Sequence, residues 1–404
     1  MIKRTTFGLL AAALGLTACS QLAPSIPAGA QGGGRAATTS AGNVPTGAAT
    51  SATTGTSPTP GAPQSPSPAA TADSPQPPKQ VSPAAKATHA QLGVQIYWHD
   101  IDDPAVTRAN ADRLLDYIVG LGANSVAISF PIYVDGVRPT KAYVTPGRTP
   151  SPATLGIVLA EASARGLRTT IRPLVDEANL LDSKGDWRGS IQPVDTAGFF
   201  ASYQSVLNPF LDQAQASHVA TFVVGAELDS LVHDTSMWTA LTAASAKRFH
   251  GQLAYADNWG LWVTGRPSVP NTAVGVDAYP VLKVDDDATV SELTSAWSAW
   301  LRRRSATTLT KTVLQEVGIS ATAGAYSQPV KWEVAGQAID PRVQINWFTA
   351  ACGAARSLHM DGVYFWDLDA YADPSHADPN GPGSFVQRGD QAIKSCFATG
   401  WEGQ

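Results

Sequence analysis

The chain has few cysteines, no basic tract and no glycine-rich phosphate loop, and each absence argues against a class of function. Its 404 residues include only three Cys, and the seven His are scattered, so no group has the spacing of metal ligands. The net charge of −5, without a run of Lys or Arg, argues against a nucleic-acid partner. The first strand-like run continues into Tyr97-Trp98-His99-Asp100 instead of the glycines that bind a dinucleotide. The sequence therefore predicts no metal and no other cofactor.

The apolar run at the N-terminus is too short to span a membrane. Lys3 and Arg4 precede this run, and Leu16-Thr17-Ala18-Cys19 ends it. This layout is typical of a secretory signal, and its last four residues resemble a bacterial lipobox. We therefore predict a lipoprotein signal peptide at 1–18, lipidation of Cys19, and an extracytoplasmic protein held at the cell membrane or surface by its lipid alone. An ordinary signal peptide that ends near a Cys is the alternative.

Residues 19–88 comprise this Cys and a segment made almost wholly of Ala, Pro, Ser, Thr, Gly and Gln. Such a composition lacks the apolar residues needed to offset the entropy of ordering a chain. The segment is predicted to be a disordered tether with a root-mean-square reach of roughly 45 Å.

The other two cysteines, Cys352 and Cys396, lie close to the C-terminus. An exported protein meets an oxidising compartment, so we expect a disulfide between them, worth about 4 kcal/mol on the loop-entropy model. Two unpaired, buried cysteines are the alternative.

Residues 89–400 are predicted to form one large α/β domain, a (β/α)8 TIM barrel. Short β-rich runs alternate with segments of helical period, and Asp103-Pro104 has the pattern of a helix start. Eight such alternations favour a closed parallel barrel over a doubly wound open sheet, which usually has fewer strands. The predicted strands lie near 93–98, 125–130, 168–173, 220–225, 252–256, 273–278, 312–315 and 362–366.

Two glutamates, Glu227 and Glu316, stand at the ends of the fourth and seventh of these runs. In a parallel barrel the carboxyl ends of the strands meet at one face, where active sites are assembled. Two carboxylates that face one cleft are what hydrolysis of a glycosidic bond requires, and retaining enzymes use one as nucleophile and the other as acid and base.

Carboxylates and aromatic side chains also follow the other predicted strands. Indole rings stack on the C–H faces of sugars and carboxylates bind hydroxyls, so this composition indicates a carbohydrate site. Trp98 and Trp259 could instead pack at the rim of the barrel. Arg172 is expected to orient a catalytic carboxylate. Arg188 either binds substrate or pairs with Asp186 or Asp176. The predicted substrate-binding residues are Trp98, Arg172, Asp176, Trp187, Arg188, Asn258, Trp259, Asp277 and Trp366.

The order and spacing of several motifs resemble glycoside hydrolase family 113, whose known members are β-1,4-mannanases. The resemblance covers about residues 90 to 398. It rests on an Arg-Pro-Leu-Val-Asp run, a Trp-Arg-Gly loop, Val-Gly-Ala-Glu, Val-Asp-Ala-Tyr-Pro, Gln-Glu-Val-Gly and Gly-Val-Tyr-Phe-Trp, which lie at 172–176, 187–189, 224–227, 276–280, 315–318 and 362–366.

This resemblance implies a role for each catalytic residue. Glu227 would be the acid and base, Glu316 the nucleophile, and Tyr279 the hydrogen-bond donor that keeps the nucleophile ionised. Trp366 would be the sugar platform, followed by a cis peptide bond. The chain also resembles a larger clan of retaining glycosidases that have their two catalytic glutamates on strands four and seven. One position departs from the clan's pattern, because Ala226 stands where the clan usually has an Asn that contacts the sugar 2-hydroxyl; Asn258 is a candidate replacement.

We therefore expect a monomeric, surface-anchored retaining glycosidase that acts on a mannan-like polysaccharide or oligosaccharide. A non-catalytic glycan-binding lipoprotein and an envelope transglycosylase on the same barrel are the alternatives. A solute-binding lipoprotein also begins with a lipobox, but it has two lobes and does not need opposed glutamates.

Overall fold

The computed structural model describes residues 89–398 and Trp401, apart from 177–179, 181–185, 267, 333, 335 and 379–380. The predicted signal peptide at 1–18, Cys19 and the predicted tether at 19–88 lie outside the described residues.

Eight parallel strands close into a barrel. β1 is hydrogen-bonded both to β2 and to β9, so the sheet has no free edge among these strands. This closure confirms the (β/α)8 barrel and excludes the open doubly wound sheet. The barrel strands are β1 (Gln91–Tyr97), β2 (Ser125–Val134), β4 (Arg168–Val175), β5 (Thr221–Ala226), β6 (Gln252–Asn258), β7 (Ala273–Asp277), β8 (Thr312–Val317) and β9 (Gly362–Asp369). The short β3 (Ala142–Tyr143) pairs antiparallel with the end of β2.

Helices follow the strands and surround the barrel. They are α1 (Pro104–Gly120), α2 (Pro152–Ala164), α3 (Thr196–Ala216), α4 (Thr235–Ala246), the one-turn α5 (Trp259–Trp262), α6 (Val290–Leu301), the short α7 (Ala306–Leu309), α8 (Pro341–Ser357) and α9 (Asp390–Ala398). The predicted start of α1 is present, since the Asp103 carboxylate accepts hydrogen bonds from the backbone N–H groups of Ala105 and Val106. No helix between residues 89 and 398, as far as described, has the length and hydropathy of a membrane span.

The layer between the strands and the helices is apolar and rich in aromatic rings. Phe130 of β2 packs on Phe210 of α3 at 4.6 Å between ring centroids. Trp297 of α6 and Trp347 of α8 are fully buried, and Trp300 of α6 is partly buried and packs against this core. This layer fixes the strands, and hence the side chains at their carboxyl ends.

Cys352 of α8 and Cys396 of α9 are joined by a disulfide with 5.8 Å between their Cα atoms. Both residues are buried, and the bond closes a loop over a sequence separation of 44. A loop of this size corresponds to about 4 kcal/mol of stabilisation on the loop-entropy model. The disulfide ties the last helix to the outside of the barrel.

Candidate active site

Glu316 lies next to the end of β8 and is held through both carboxylate oxygens. A guanidinium N–H of Arg172 donates a short hydrogen bond to Oε1. The hydroxyl of Tyr279, which follows β7, donates to Oε2 at 2.7 Å. Glu316 is 5% exposed, so these protein donors replace most of its hydration. A cation and a phenol that both donate to one carboxylate form an arrangement suited to a negative charge.

Arg172 lies inside the barrel and bridges two carboxylates. Its guanidinium donates to Glu316 on one side and to Asp277 at the end of β7 on the other, and it contacts Gln95 of β1 at 3.2 Å. Burial opposes the charged form, but the charges of Asp277 and Glu316 outweigh it and raise the pKa of Arg172. Burial also raises the pKa of Asp277 well above its usual range, against the effect of Arg172. Arg172 was expected to orient a catalytic carboxylate, and its hydrogen bond to Glu316 agrees with that expectation. Its side chain and that of Asp277 are fully buried, which leaves neither exposed for the predicted contact with substrate.

Tyr279 is kept in the form that can donate a hydrogen bond. Burial raises the pKa of its phenol well above the usual value, and the neighbouring Glu316 raises it further. The hydroxyl therefore stays protonated, and Glu316 accepts its proton in a hydrogen bond. Tyr279 thus contacts the carboxylate as the family resemblance implied.

Glu227 follows the last residue of β5 and turns its side chain into the same face of the barrel. Its φ of 54° lies in the left-handed region that few residues other than glycine adopt. Its backbone N–H donates to Ala256 of β6 at 2.9 Å, which fixes the strand end. Asn258 Nδ2 donates to Glu227 Oε1 at 2.8 Å, and Arg188 Nη1 lies 3.9 Å from Oε2.

The orientation of the Asn258 amide follows from its second contact. Its Oδ1 accepts the backbone N–H of Gly260 at 2.8 Å and thereby caps the one-turn helix α5. With the oxygen used in this way, the NH2 group has to face Glu227. Asn258, a predicted substrate-binding residue, is therefore a direct partner of a catalytic candidate.

Two further carboxylates lie behind Glu227. Burial, with the charges of Glu227 and Asp257, raises the pKa of Asp229 to about 8. Burial also raises the pKa of Asp257 to about 6, although Arg304 and Ser268 oppose the shift. Asp229 Oδ1 is buried without a hydrogen-bond partner among the described residues. At neutral pH Asp229 is mostly protonated, which limits the negative charge around Glu227.

Trp366 lies on β9, on the opposite side of Glu316 from Tyr279. It is half-buried, its ring centroid is 6.0 Å from that of Tyr97 on β1, and its peptide bond to Asp367 is cis. The Tyr97 hydroxyl donates to Asp176 at 3.0 Å, which brings this predicted substrate-binding residue to the same wall. Trp366, Tyr97 and Asp176 therefore line one side of the site, and Tyr97, which ends β1, joins the two predicted substrate-binding residues there.

His99 adds a fixed positive charge next to this wall. Its two ring nitrogens lie 2.9 Å from Asp100 and 2.8 Å from Asp369. Burial alone would lower the pKa of His99, but the hydrogen bonds and charges of Asp369 and Asp100 raise it to about 9. The imidazolium joins the ends of β1 and β9, and so supports the position of Trp366 and Tyr97.

Trp187 and Arg188 reach the site from the loop after β4. Arg188 begins a short 3-10 turn that ends at Ser190, and the half-buried Trp187 ring packs over Gly189, which leaves no room for a side chain at that residue. Arg188 lies near Glu227, so this predicted substrate-binding residue stands beside a candidate catalytic carboxylate. Glu177, which follows Asp176 in the sequence, lies outside the described residues.

Two tryptophans flank Tyr279 on the other side of the site. Trp259, at the start of α5, and Trp332, in the loop after β8, each meet the Tyr279 ring edge-on at 5.9 Å. Both indoles are half-buried. Trp332 was not predicted to be a site residue, although its position outside any helical segment, in the loop that follows a catalytic strand, was a usable signal.

Trp98 does not belong to the site, which corrects its predicted role as a substrate-binding residue. Its side chain is 0% exposed and is part of the main hydrophobic core. Successive strand residues face opposite sides. Because Tyr97 faces the cleft, Trp98 points outward under the helices, and its indole is not available to a sugar.

The described residues contain no group of three or more His, Cys, Asp or Glu that could hold a metal ion. Two carboxylates stand at this end of the barrel, with Arg172 and Tyr279 at Glu316 and with Asn258 and Arg188 near Glu227.

The barrel is similar to those of known glycoside hydrolases. The model of Glycoside Hydrolase Family 113 matches residues 102–385. Among solved structures, the chain is similar to a GH113 β-1,4-mannanase (18% identity, 77% of this chain and 99% of that one, TM-score 0.64). It is also similar to the GH113 β-mannanase AaManA from Alicyclobacillus acidocaldarius (17% identity, 76% and 97%, TM-score 0.64).

A more distant match is an endo-β-1,4-mannanase from Thermotoga petrophila, with 12% identity, 78% of each chain covered and a TM-score of 0.50. No curated protein sequence matches the chain. At such identities the solved structures support the fold alone, whereas the family model spans more than half of the chain. The protein therefore belongs to glycoside hydrolase family 113 and is a glycoside hydrolase.

Proposed function

We propose that the protein cleaves a β-linked, mannan-like polysaccharide or oligosaccharide by double displacement, with retention of configuration at the anomeric carbon. The observation that carries the proposal is the pair of partners at Glu316, a buried guanidinium and a protonated phenol. A carboxylate hydrogen-bonded to a permanently charged guanidinium is suited to be a nucleophile and poorly suited to donate a proton. Glu227, bound by the neutral amide of Asn258, is the better proton donor of the two.

The reaction follows in two steps. A Glu316 oxygen attacks the anomeric carbon as the bond from this carbon to the leaving oxygen breaks, and Glu227 gives its proton to that oxygen. The product of this step is a glycosyl ester of Glu316 and a free alcohol. Water then attacks the same carbon and transfers a proton to Glu227, which releases the sugar and restores both carboxyl groups.

The proposed substrate class comes from family membership, since the family members among the solved structures are described as β-mannanases. The half-buried aromatic rings on both sides of the two glutamates suit a chain of sugar rings. Digestion of a panel of mannans, glucans and cell-wall glycans, with mass spectrometry of the products, tests the substrate. Cleavage of β-mannan that is lost in Glu316→Ala supports the proposal; cleavage of none of the glycans by the wild type overturns it.

Two alternatives are separated by the same panel. A non-catalytic glycan-binding role is favoured by Ala226, which is buried and offers no side-chain donor for a sugar hydroxyl. This role predicts binding without products, equal in the wild type and in Glu316→Ala. A transglycosylase shares the covalent ester but yields products longer than the substrate.

We also propose that the protein is a lipoprotein held at the cell membrane or surface through Cys19. The support is the lipobox-like sequence at 16–19 and the Pro-, Ala-, Ser- and Thr-rich segment that follows. Labelling of cells with a fatty-acid probe tests the anchor: the wild type should be labelled and Cys19→Ala should not. Equal labelling of both proteins would contradict it.

A further inference from the structure

Trp332 is held in place by a close approach of backbone and ring. The loop that carries it follows β8, and its indole packs against Gly318 and Gly383. A Cβ atom at Gly318 would lie 2.7 Å from the Trp332 ring and 3.2 Å from Tyr279. The two glycines therefore leave room for the indole beside the catalytic tyrosine.

Trp259 meets Tyr279 in the same way. The planes of Trp259 and Trp332 are inclined at 78° and 80° to the Tyr279 ring, each with 5.9 Å between ring centroids. Tyr279 itself is 5% exposed, whereas both indoles are half-buried. The pair thus covers the tyrosine and keeps part of each indole open to solvent.

The position of this pair around the barrel indicates which part of a substrate it meets. Between Glu227 and Glu316, the strand order β5, β6, β7, β8 places Asn258 and Trp259 next to the proton donor, followed by Tyr279. Trp366 is on β9, beyond Glu316 and on the other side. The sugar released in the first step has to leave from the oxygen that Glu227 protonates.

We propose that Trp332 and Trp259 form a subsite for the leaving-group sugar of a β-linked oligosaccharide, with Trp332 as a specificity-determining residue. Indole faces stack on the C–H faces of a pyranose, and the subsite takes a neutral hexose unit on the reducing side of the cleaved bond. This inference rests on the proposed function. The inference goes beyond the proposed function, because Trp332 is not among the site residues predicted from the sequence.

The test compares two substrates with the same donor sugar. One is a β-mannooligosaccharide, which places a sugar in the leaving-group subsite, and the other is an aryl β-mannoside, which does not. Trp332→Ala is expected to lower kcat/KM on the oligosaccharide about 10- to 100-fold, and to lower it on the aryl substrate by a factor at least about five times smaller. Trp332→Phe keeps an aromatic ring and should recover most of the activity.

The outcomes separate the two proposals. If Trp332→Ala is unchanged on the oligosaccharide, or loses equal activity on both substrates, the subsite is wrong. An equal loss would place Trp332 as mere packing for Tyr279. If the wild type cleaves neither substrate but is folded and active on another glycan, the mannan proposal fails. If it cleaves no glycan at all, the proposed function fails with it.

Discussion

Glu316 and Glu227, the two glutamates proposed to be catalytic, differ in how the arginine beside each of them is held. Arg172, at Glu316, is enclosed by the barrel and fixed by Asp277 and Gln95. Arg188, near Glu227, belongs to a half-buried turn of a loop. Its Nη1 lies 3.9 Å from Glu227 Oε2, which is too far for a direct hydrogen bond. The rigid, permanently charged Arg172 suits a Glu316 that stays ionised. The neutral amide of Asn258, which donates to Glu227, suits a carboxyl group that gains and loses a proton.

The largest difference in activity is expected between the variants that remove the carboxyl group of Glu316 and that of Glu227. Glu316→Ala should lower kcat/KM about 10⁵-fold on every substrate, because no ester can form. Glu227→Ala should cost about 10²- to 10⁴-fold on an oligosaccharide. On a dinitrophenyl glycoside it should cost less than tenfold, because that leaving group needs no proton. Steady-state kinetics with the two substrates measure this, and equal losses for both variants would remove the distinction.

Tyr279→Phe sharpens the account of Glu316. The variant removes the 2.7 Å hydrogen bond to Oε2 and leaves the ring between Trp259 and Trp332. We expect kcat to fall about 10- to 100-fold, since one charge-assisted hydrogen bond is lost from the ester-forming group. Thermal unfolding should change little. A loss of activity that follows a loss of folded protein would contradict a role at the carboxylate.

Asn258→Ala tests the surroundings of Glu227 and should lower the activity less than Tyr279→Phe does. It removes the 2.8 Å bond to Glu227 and the cap on α5, and Arg188 stays close to the carboxylate. The expected loss in kcat/KM is about tenfold on an oligosaccharide and smaller on a dinitrophenyl glycoside, as for Glu227→Ala. A similar loss on the two substrates would indicate that Asn258 does not act through Glu227.

The smallest effect concerns stability. Asp229 has a pKa raised to about 8 in the fold, above its ordinary value of 3.8, so the unfolded chain ionises first as the pH rises. The folded protein should therefore lose stability between about pH 4 and pH 8. Asp229→Asn removes this loss. The unfolding free energy of the variant should be about equal to that of the wild type at pH 4 and about 1 kcal/mol or more higher at pH 8.

Asp257→Asn is the matched control for this variant. The pKa of Asp257 is raised only to about 6, and Arg304 lies 3.9 Å away. The gain in unfolding free energy over the wild type should therefore be smaller than for Asp229→Asn, and it should be complete by about pH 6. Denaturant unfolding at several pH values measures both variants. An advantage of Asp229→Asn that is largest at pH 4 would contradict the assignment.

The sequence predicts the barrel and the two glutamates because both depend on local patterns. Short β-rich runs mark the strands, and Glu227 and Glu316 stand where two of these runs end. A closed parallel barrel then brings all strand ends to one face. The predicted helix start at Asp103 likewise depends only on neighbouring residues.

What the sequence does not show depends on side-chain direction and on contacts between distant residues. Trp98 lies one residue beyond Tyr97, and this single step turns it from the cleft into the core. Arg172 meets Glu316 over a separation of 144 positions, and only the barrel interior decides that pairing. Trp332 reaches Tyr279 through a loop whose path has no periodic pattern.

The central claim is that Glu316 forms the covalent ester. Incubation of the protein with a 2-fluoro-β-mannosyl donor that carries an activated leaving group, followed by proteolysis and mass spectrometry, tests it most directly. The account predicts one added fluoromannosyl group on the peptide that contains Glu316, both in the wild type and in Glu227→Ala. A label on the Glu227 peptide, or turnover of an activated mannoside without any labelled peptide, would contradict it.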